Sequence, residues 1–179
     1  YIDAERMPHA CILYSDDHGR SWRLHEGARS NTTEAQVAEL PSGDLMLNMR
    51  DNRGGSRAVS VTSDMGRTWT EHPSSRKALR EPVCMASLIS VAADDNISGR
   101  DILLFSNPDC DNARRDITVK ISFDGGATWP EENKVLLDAG DGWGYSCLTM
   151  IDSRTVGILY ESSQAHMTFQ AIPLADLLP

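Results

Sequence analysis

The chain has 179 residues, 40% of them hydrophobic and 24% charged, with a formal charge of −9 at pH 7. That acidity, without a basic stripe interleaved with aromatics, argues against a nucleic-acid partner, and no apolar run is long enough to span a membrane as a helix. The length suits one folded unit, taken as residues 1–179.

The opening, YIDAERMPHAC, lacks the basic and apolar sections of a signal peptide, so a secreted or periplasmic location requires a signal upstream. From there, short apolar or alternating runs predict strands at CILYS (11–15), VAEL (37–40), DLMLNMR (44–50), RAVSVTS (57–63), ASLISVA (86–92) and DILLFS (101–106). Further strands are predicted at ITVKISF (117–123), YSCLTMI (145–151), TVGILYE (155–161) and MTFQAIPL (167–174). In ITVKISF, Ile117, Val119 and Ile121 share one face while Thr118, Lys120 and Ser122 share the other, the period-two pattern of a half-buried strand. No segment carries a helical period. The ending IPLADLLP allows at most a short helical turn between Pro173 and Pro179.

Three of these strands run into one repeated turn: SDDHGRSW ending at Trp22, TSDMGRTW ending at Trp69 and SFDGGATW ending at Trp129. The hydroxyls of Ser15, Thr62 and Ser122 and the carboxylates of Asp17, Asp64 and Asp124 are placed to accept backbone hydrogen bonds. Gly19, Gly66 and Gly126 supply the positive φ of a tight loop, and each tryptophan carries a large surface to bury beside the next strand. These Asp boxes read as structural. Repeats at this spacing suggest propeller blades. Roughly a dozen strands make about three four-stranded antiparallel blades, against the about 4–8 of closed propellers. The expectation is therefore an all-β chain that forms part of a longer propeller or is completed by another chain.

Cys11, Cys84, Cys110 and Cys147 are widely spaced, without a CxxC pair, and read as buried thiols, mostly in strand-like runs, not as zinc ligands or disulfides. No metal-ligand cluster and no dinucleotide loop is present in the sequence, so no cofactor is expected. Arginines gather at Arg50, Arg53 and Arg57 and again at Arg114 and Arg115, and guanidinium is well shaped to grip a carboxylate through paired hydrogen bonds.

EAQVAELPSGDLMLNMR, NPDCDNARRDITVKISFDGGATW, GWGYSCLTM and GILYE, taken with the three boxes, closely resemble the later part of exo-α-sialidases (neuraminidases) of the bacterial and animal type. The resemblance runs from the first box to FQAIPLADLL and implies a six-bladed β-propeller, of which this chain is the C-terminal half of the catalytic domain. It also implies roles. Glu34 matches the base and Tyr145 the nucleophile of a couple in which glutamate takes the phenolic proton and tyrosine attacks the anomeric carbon. That carbon bears a carboxylate, so a neutral nucleophile escapes the repulsion an anion would meet. A tyrosine nucleophile is the sialidase exception to the usual pair of carboxylates. Arg50 and Arg114 match two arginines of the family's carboxylate-binding triad, and Glu161 matches the acid that steadies the remaining one. Arg115 lies one residue away, and a slip of one would aim it to the opposite side of a strand.

The family's first triad arginine and its acid/base aspartate have no counterpart here. Arg6-Met7-Pro8 directly precedes the first box and does not open a blade, and Asp16, Asp17 and Asp51 lack the right neighbours. The resemblance thus implies a retaining exo-α-sialidase acting on terminal sialic acids of glycoproteins, glycolipids and oligosaccharides, with the N-terminal half of the propeller as its partner and little activity in the isolated chain. A non-catalytic Asp-box propeller that binds sialylated glycans or a protein is the alternative, and sialyl transfer to a sugar acceptor differs from hydrolysis only in contacts the sequence does not reveal.

Overall fold

Runs of Val, Ile, Leu and Thr satisfy their backbone by pairing with other strands, and the computed structural model, which describes residues 1–179, is all-β apart from three short 3₁₀ turns. The chain opens with β1 (His9–Ala10), β2 (Leu13–Tyr14), β3 (Arg23–Leu24) and β4 (Arg29–Ser30), in which β1 pairs with β4 and β2 with β3. Next come β5 (Thr32–Glu39), β6 (Leu45–Asp51), β7 (Gly55–Ser56), β8 (Ala58–Thr62), β9 (Thr70–Glu71) and β10 (Arg80–Glu81). Of these, β5-β6-β8-β9 form a four-stranded antiparallel sheet, and β7 pairs with β10. A second four-stranded sheet follows from β11 (Ser87–Val91), β12 (Ile102–Pro108), β13 (Ile117–Ser122) and β14 (Lys134–Asp138). The last sheet has three strands, β15 (Ser146–Asp152), β16 (Thr155–Tyr160) and β17 (Thr168–Pro173).

The sheets stack side by side, so that successive residues of a middle strand face different neighbours. On β12, Leu104 joins Val119, Ile121, Val156 and Ile158 in one core. Leu103 and Phe105 join Ala38, Met46, Val59 and Leu88 in another. Burial on both sides corrects the expectation for ITVKISF, which is buried on both faces from Ile117 to Ser122. Ile117, Val119 and Ile121 do share one face, but Lys120 opposite them is 1% exposed. Its ammonium lies 3.0 Å from Asp109, which also holds Arg80 at 3.1 Å and Lys134 at 3.3 Å. Desolvation lowers the Lys120 pKa to about 8, the partial cost of covering a charge from both sides.

The expectation of three four-stranded blades holds for two sheets. The third stops after β17, where Pro173 turns the chain into a 3₁₀ segment at Leu174–Leu177 that buries Leu174 and Leu177. The three boxes occupy equivalent hairpins, β2–β3, β8–β9 and β13–β14. In each, the Ser or Thr hydroxyl accepts the glycine amide at 2.7–2.9 Å and donates to the box aspartate, which in turn accepts from Ser21, Thr68 or Thr128. The tryptophans do not share one degree of burial. Trp129 is 7% exposed in the second core, with its ring centroid 5.7 Å from Phe105. Trp69 is half-buried beside Ala10, Ile12 and Met49. Trp22 is 60% exposed.

One buried ion pair fixes the end of the first sheet opposite its box. Arg57, between β7 and β8, donates to Glu81 at 2.9 Å, the Asn48 side chain at 2.7 Å and the carbonyls of Cys84 at 2.8 Å, Asn48 at 3.2 Å and Glu34 at 3.3 Å. Both charged side chains are wholly buried. Removing one partner strands the other charge in low dielectric, so Glu81→Ala is expected to destabilise the fold by about 3–5 kcal/mol in denaturant unfolding.

The boxes carry a separate pH signature. Hydrogen bonds from the Ser21 hydroxyl and amide hold Asp17 at about 2, and those from the Thr68 amide and hydroxyl hold Asp64 at about 2. Because these folded values lie below the ordinary aspartate value of about 3.9, their stabilisation is present above that pH and is lost as the pH falls through about 2. Carboxyl-carbon titration by NMR should place both midpoints near 2, and Asp64→Asn should flatten the acid loss of stability between about pH 4 and 2.

Candidate active site

At the strand ends opposite the boxes, residues far apart in sequence converge. Glu34 lies near the start of β5, where the register against β6 slips between Thr33 and Ala35. Its φ of 25° is unusual for a residue with a Cβ. The bulge re-aims this side chain, and its carbonyl is held from behind by Arg57.

Tyr145 directly precedes β15 and follows Gly144, whose φ is 89°. A Cβ at Gly144 would stand 2.8 Å from Pro108 Cγ and 3.1 Å from Cys84 Sγ, so only glycine fits. The Tyr145 backbone is fixed by Glu161, whose amide donates to the Tyr145 carbonyl at 2.9 Å and whose carboxylate accepts the Tyr145 amide at 3.1 Å.

The Tyr145 hydroxyl donates to Glu34 Oε1. Arg50, paired in register with Thr33, donates through Nη1 to Glu34 Oε2 at 2.5 Å and to the Tyr145 oxygen at 3.4 Å. Its Nε is buried without a hydrogen-bond partner. Arg114, in the loop before β13, donates to the carbonyls of Trp143 at 3.0 Å and Val83 at 3.3 Å, and its guanidinium carbon lies 5.7 Å from the Tyr145 ring centroid.

These contacts set the charge states. Desolvation opposes ionisation of Glu34, but the hydrogen bonds from Tyr145 and Arg50 and the charges of Arg50 and Arg114 outweigh it and hold the carboxyl below its ordinary range. The hydrogen bond to Glu34, followed by burial, raises the Tyr145 pKa. The cluster rests as a carboxylate, a neutral phenol and two guanidinium groups. It is suited to accept the phenolic proton while an anion is held nearby.

Glu34, Tyr145, Arg50 and Arg114 are thus brought together. Glu161 stands beside them, bonded to the Tyr145 main chain and to no arginine side chain. The remaining arginines of the two sequence clusters turn elsewhere. Arg53 pairs with the buried Asp51 at 3.0 Å, and Arg57 is buried under the bulge. Arg115 lies in a loop, 3.7 Å from Asp116. Of the other acidic groups, Asp16 pairs with Arg23 at 3.0 Å, Asp17 closes its box, and Asp51 is also approached by Arg29 and Arg76.

The cysteine reading needs correction in part. All four are free thiols, but only Cys84 and Cys110 are buried, and both lie in loops. Cys147, the one in a strand, is exposed on the outer face of β15. The supporting roles of Arg57, Gly144 and Cys84 were not read from sequence. The flanking glycines of GWGY were the available signal for Gly144, whereas nothing local marks Arg57 as the buried arginine.

The sequence model of the BNR repeat-like domain matches residues 1–159. A sialidase of Bacteroides fragilis is 64% identical over 178 residues, covering 99% of this chain and 33% of that protein. A sialidase of Micromonospora viridifaciens is 36% identical over 163 residues, covering 89% of this chain and 25% of that protein. Among solved structures, the Hadza microbial sialidase Hz136 matches with a TM-score of 0.96 and 68% identity over 99% of this chain and 34% of its own. A leech intramolecular trans-sialidase, 24% identical, matches in fold with a TM-score of 0.74 over 92% of this chain and 27% of its own. These neighbours are sialidase β-propellers. The chain spans about a third of the length of the Bacteroides fragilis relative and of Hz136. It therefore belongs to the BNR repeat-like domain family and is similar along nearly its whole length to sialidases.

Proposed function

We propose that this chain carries the base, the nucleophile and two carboxylate-binding arginines of a retaining exo-α-sialidase that releases terminal sialic acids from glycoconjugates. The observation that carries this reading is the hydrogen bond from Tyr145 to Glu34, made across 111 residues of sequence and bracketed by Arg50. In the first step the Tyr145 oxygen bonds to the anomeric carbon and its proton passes to Glu34. The bond to the leaving sugar breaks, and the leaving oxygen takes a proton from a general acid that residues 1–179 do not bring to the cluster. Water then displaces the tyrosine, giving its own proton to the conjugate base of that acid, while the Tyr145 oxygen recovers the proton held by Glu34. Two displacements return the original configuration.

Arg50 has a double part in this scheme. At rest its Nη1 neutralises Glu34, which weakens the carboxylate as a base. A substrate carboxylate sharing the same guanidinium draws positive charge from Glu34, so the base strengthens when the site fills. Arg114, already fixed by two carbonyls, offers a guanidinium that does not need ordering on binding. The acid and a further arginine are assigned to the remaining two thirds of a protein of the relatives' length.

Tyr145→Phe removes the attacking oxygen and little packing, and Glu34→Gln removes the base. Built into a polypeptide of the relatives' full length, each should lower kcat on a sialoside by at least about 10²-fold, with the melting temperature changed little. Wild-type turnover in Tyr145→Phe would remove the tyrosine from the mechanism, and sialoside binding without hydrolysis in the parent would favour a glycan-binding module. Product analysis of the parent separates free sialic acid from a transferred or anhydro product.

A further inference from the structure

The segment leading to Tyr145 holds an aromatic side chain that neither the fold nor the chemistry above uses. Trp143 is 66% exposed, the most exposed of the large aromatic side chains. Its backbone, by contrast, is fixed. The Trp143 carbonyl accepts from Arg114 at 3.0 Å and from the Cys84 thiol at 3.8 Å. The preceding Gly142 donates its amide to the Arg114 carbonyl at 2.8 Å, and a Cβ there would meet the Ser162 backbone at 3.1 Å. Gly144 on the other side is confined by Pro108 and Cys84. A large indole is therefore presented outward from a pinned main chain, two residues before Tyr145 and on the same carbonyl that positions Arg114.

The occupant follows from the chemistry of the neighbours. Glu34, Arg50, Tyr145 and Arg114 are polar and charged, suited to an acidic sugar and its reacting carbon. The sugar on the far side of the scissile bond is neutral, and a pyranose ring exposes an apolar C–H face. An indole can cover such a face with substantial apolar contact, and its rigid presentation reduces the ordering cost of binding. Resting on the sialidase reading above, we propose that Trp143 is the platform on which the neutral leaving-group sugar stacks, making it a determinant of glycan specificity at the entrance to the site.

The test compares 3′-sialyllactose, whose leaving group is a neutral sugar, with sialyl fluoride, whose leaving group has no ring, in the full-length protein. Trp143→Ala should raise KM for sialyllactose about tenfold while its kinetics on sialyl fluoride stay within about twofold of the parent. Trp143→Phe, which keeps an aromatic face, should recover most of the loss. Equal losses on both substrates, or no loss on sialyllactose, would overturn the platform. Failure of Trp143→Ala to fold would overturn it too, since an indole required for folding is not a free surface. A parent that hydrolyses neither substrate rejects the sialidase reading itself, whereas a parent that hydrolyses both while Trp143→Ala matches it rejects the platform alone.

Discussion

The buried pair of Arg57 and Glu81 is the constraint on which the geometry of the cluster depends. Taking two charges out of water is costly, and that cost is met only where every polar atom finds a partner. Here the guanidinium reaches a carboxylate, an amide side chain and three backbone carbonyls. Those acceptors belong to β6, to β10, to the loop ahead of β11 and to the bulge of β5. The pair therefore ties the bulge at Glu34 to the segment that holds Cys84, and Cys84 in turn confines Gly144. Tyr145 and Glu34 meet because two distant strand ends are anchored to one arginine and its surroundings.

The two ends of each sheet divide structure from chemistry. At one end the Asp boxes close their hairpins through local hydroxyl, carboxylate and amide contacts. At the other, loops and strand ends carry a bulge, a confined glycine and a buried ion pair. The bulge leaves Glu34 at φ 25°, an unfavourable value for a residue with a Cβ, whereas Gly144 takes its φ of 89° without that cost. A regular β5 would have kept the alternating order of its side chains and given no reason for Glu34 to face Tyr145.

Much of the fold was legible in the sequence because boxes and alternating runs are local signals. Ile117, Val119 and Ile121 do share a core face, and the three boxes do occupy equivalent hairpins. Features that depend on neighbouring sheets were not legible. Nothing in ITVKISF states that a second sheet will cover Lys120, and nothing in the boxes states that Trp129 will be buried while Trp22 is exposed. The cysteine misreading has the same origin, since apolar sequence context does not say which face of β15 is covered. The cluster was reached through resemblance to a family, because a tyrosine ahead of a strand and a glutamate near the start of one carry no chemical mark of their own. Arginine crowding was a true signal of buried anions as much as of a binding site: Arg53 answers Asp51 and Arg57 answers Glu81, leaving Arg50 and Arg114 beside the phenol.

The central claim is that Tyr145, held by Glu34, becomes covalently bonded to the sugar. A fluorinated sialic acid whose glycosyl-enzyme hydrolyses slowly would trap that bond in the full-length protein, and peptide mass spectrometry would locate it. The account predicts a single adduct on the Tyr145 peptide, formed at the rate at which activity is lost. An adduct on another residue, or inactivation without any adduct, would contradict it.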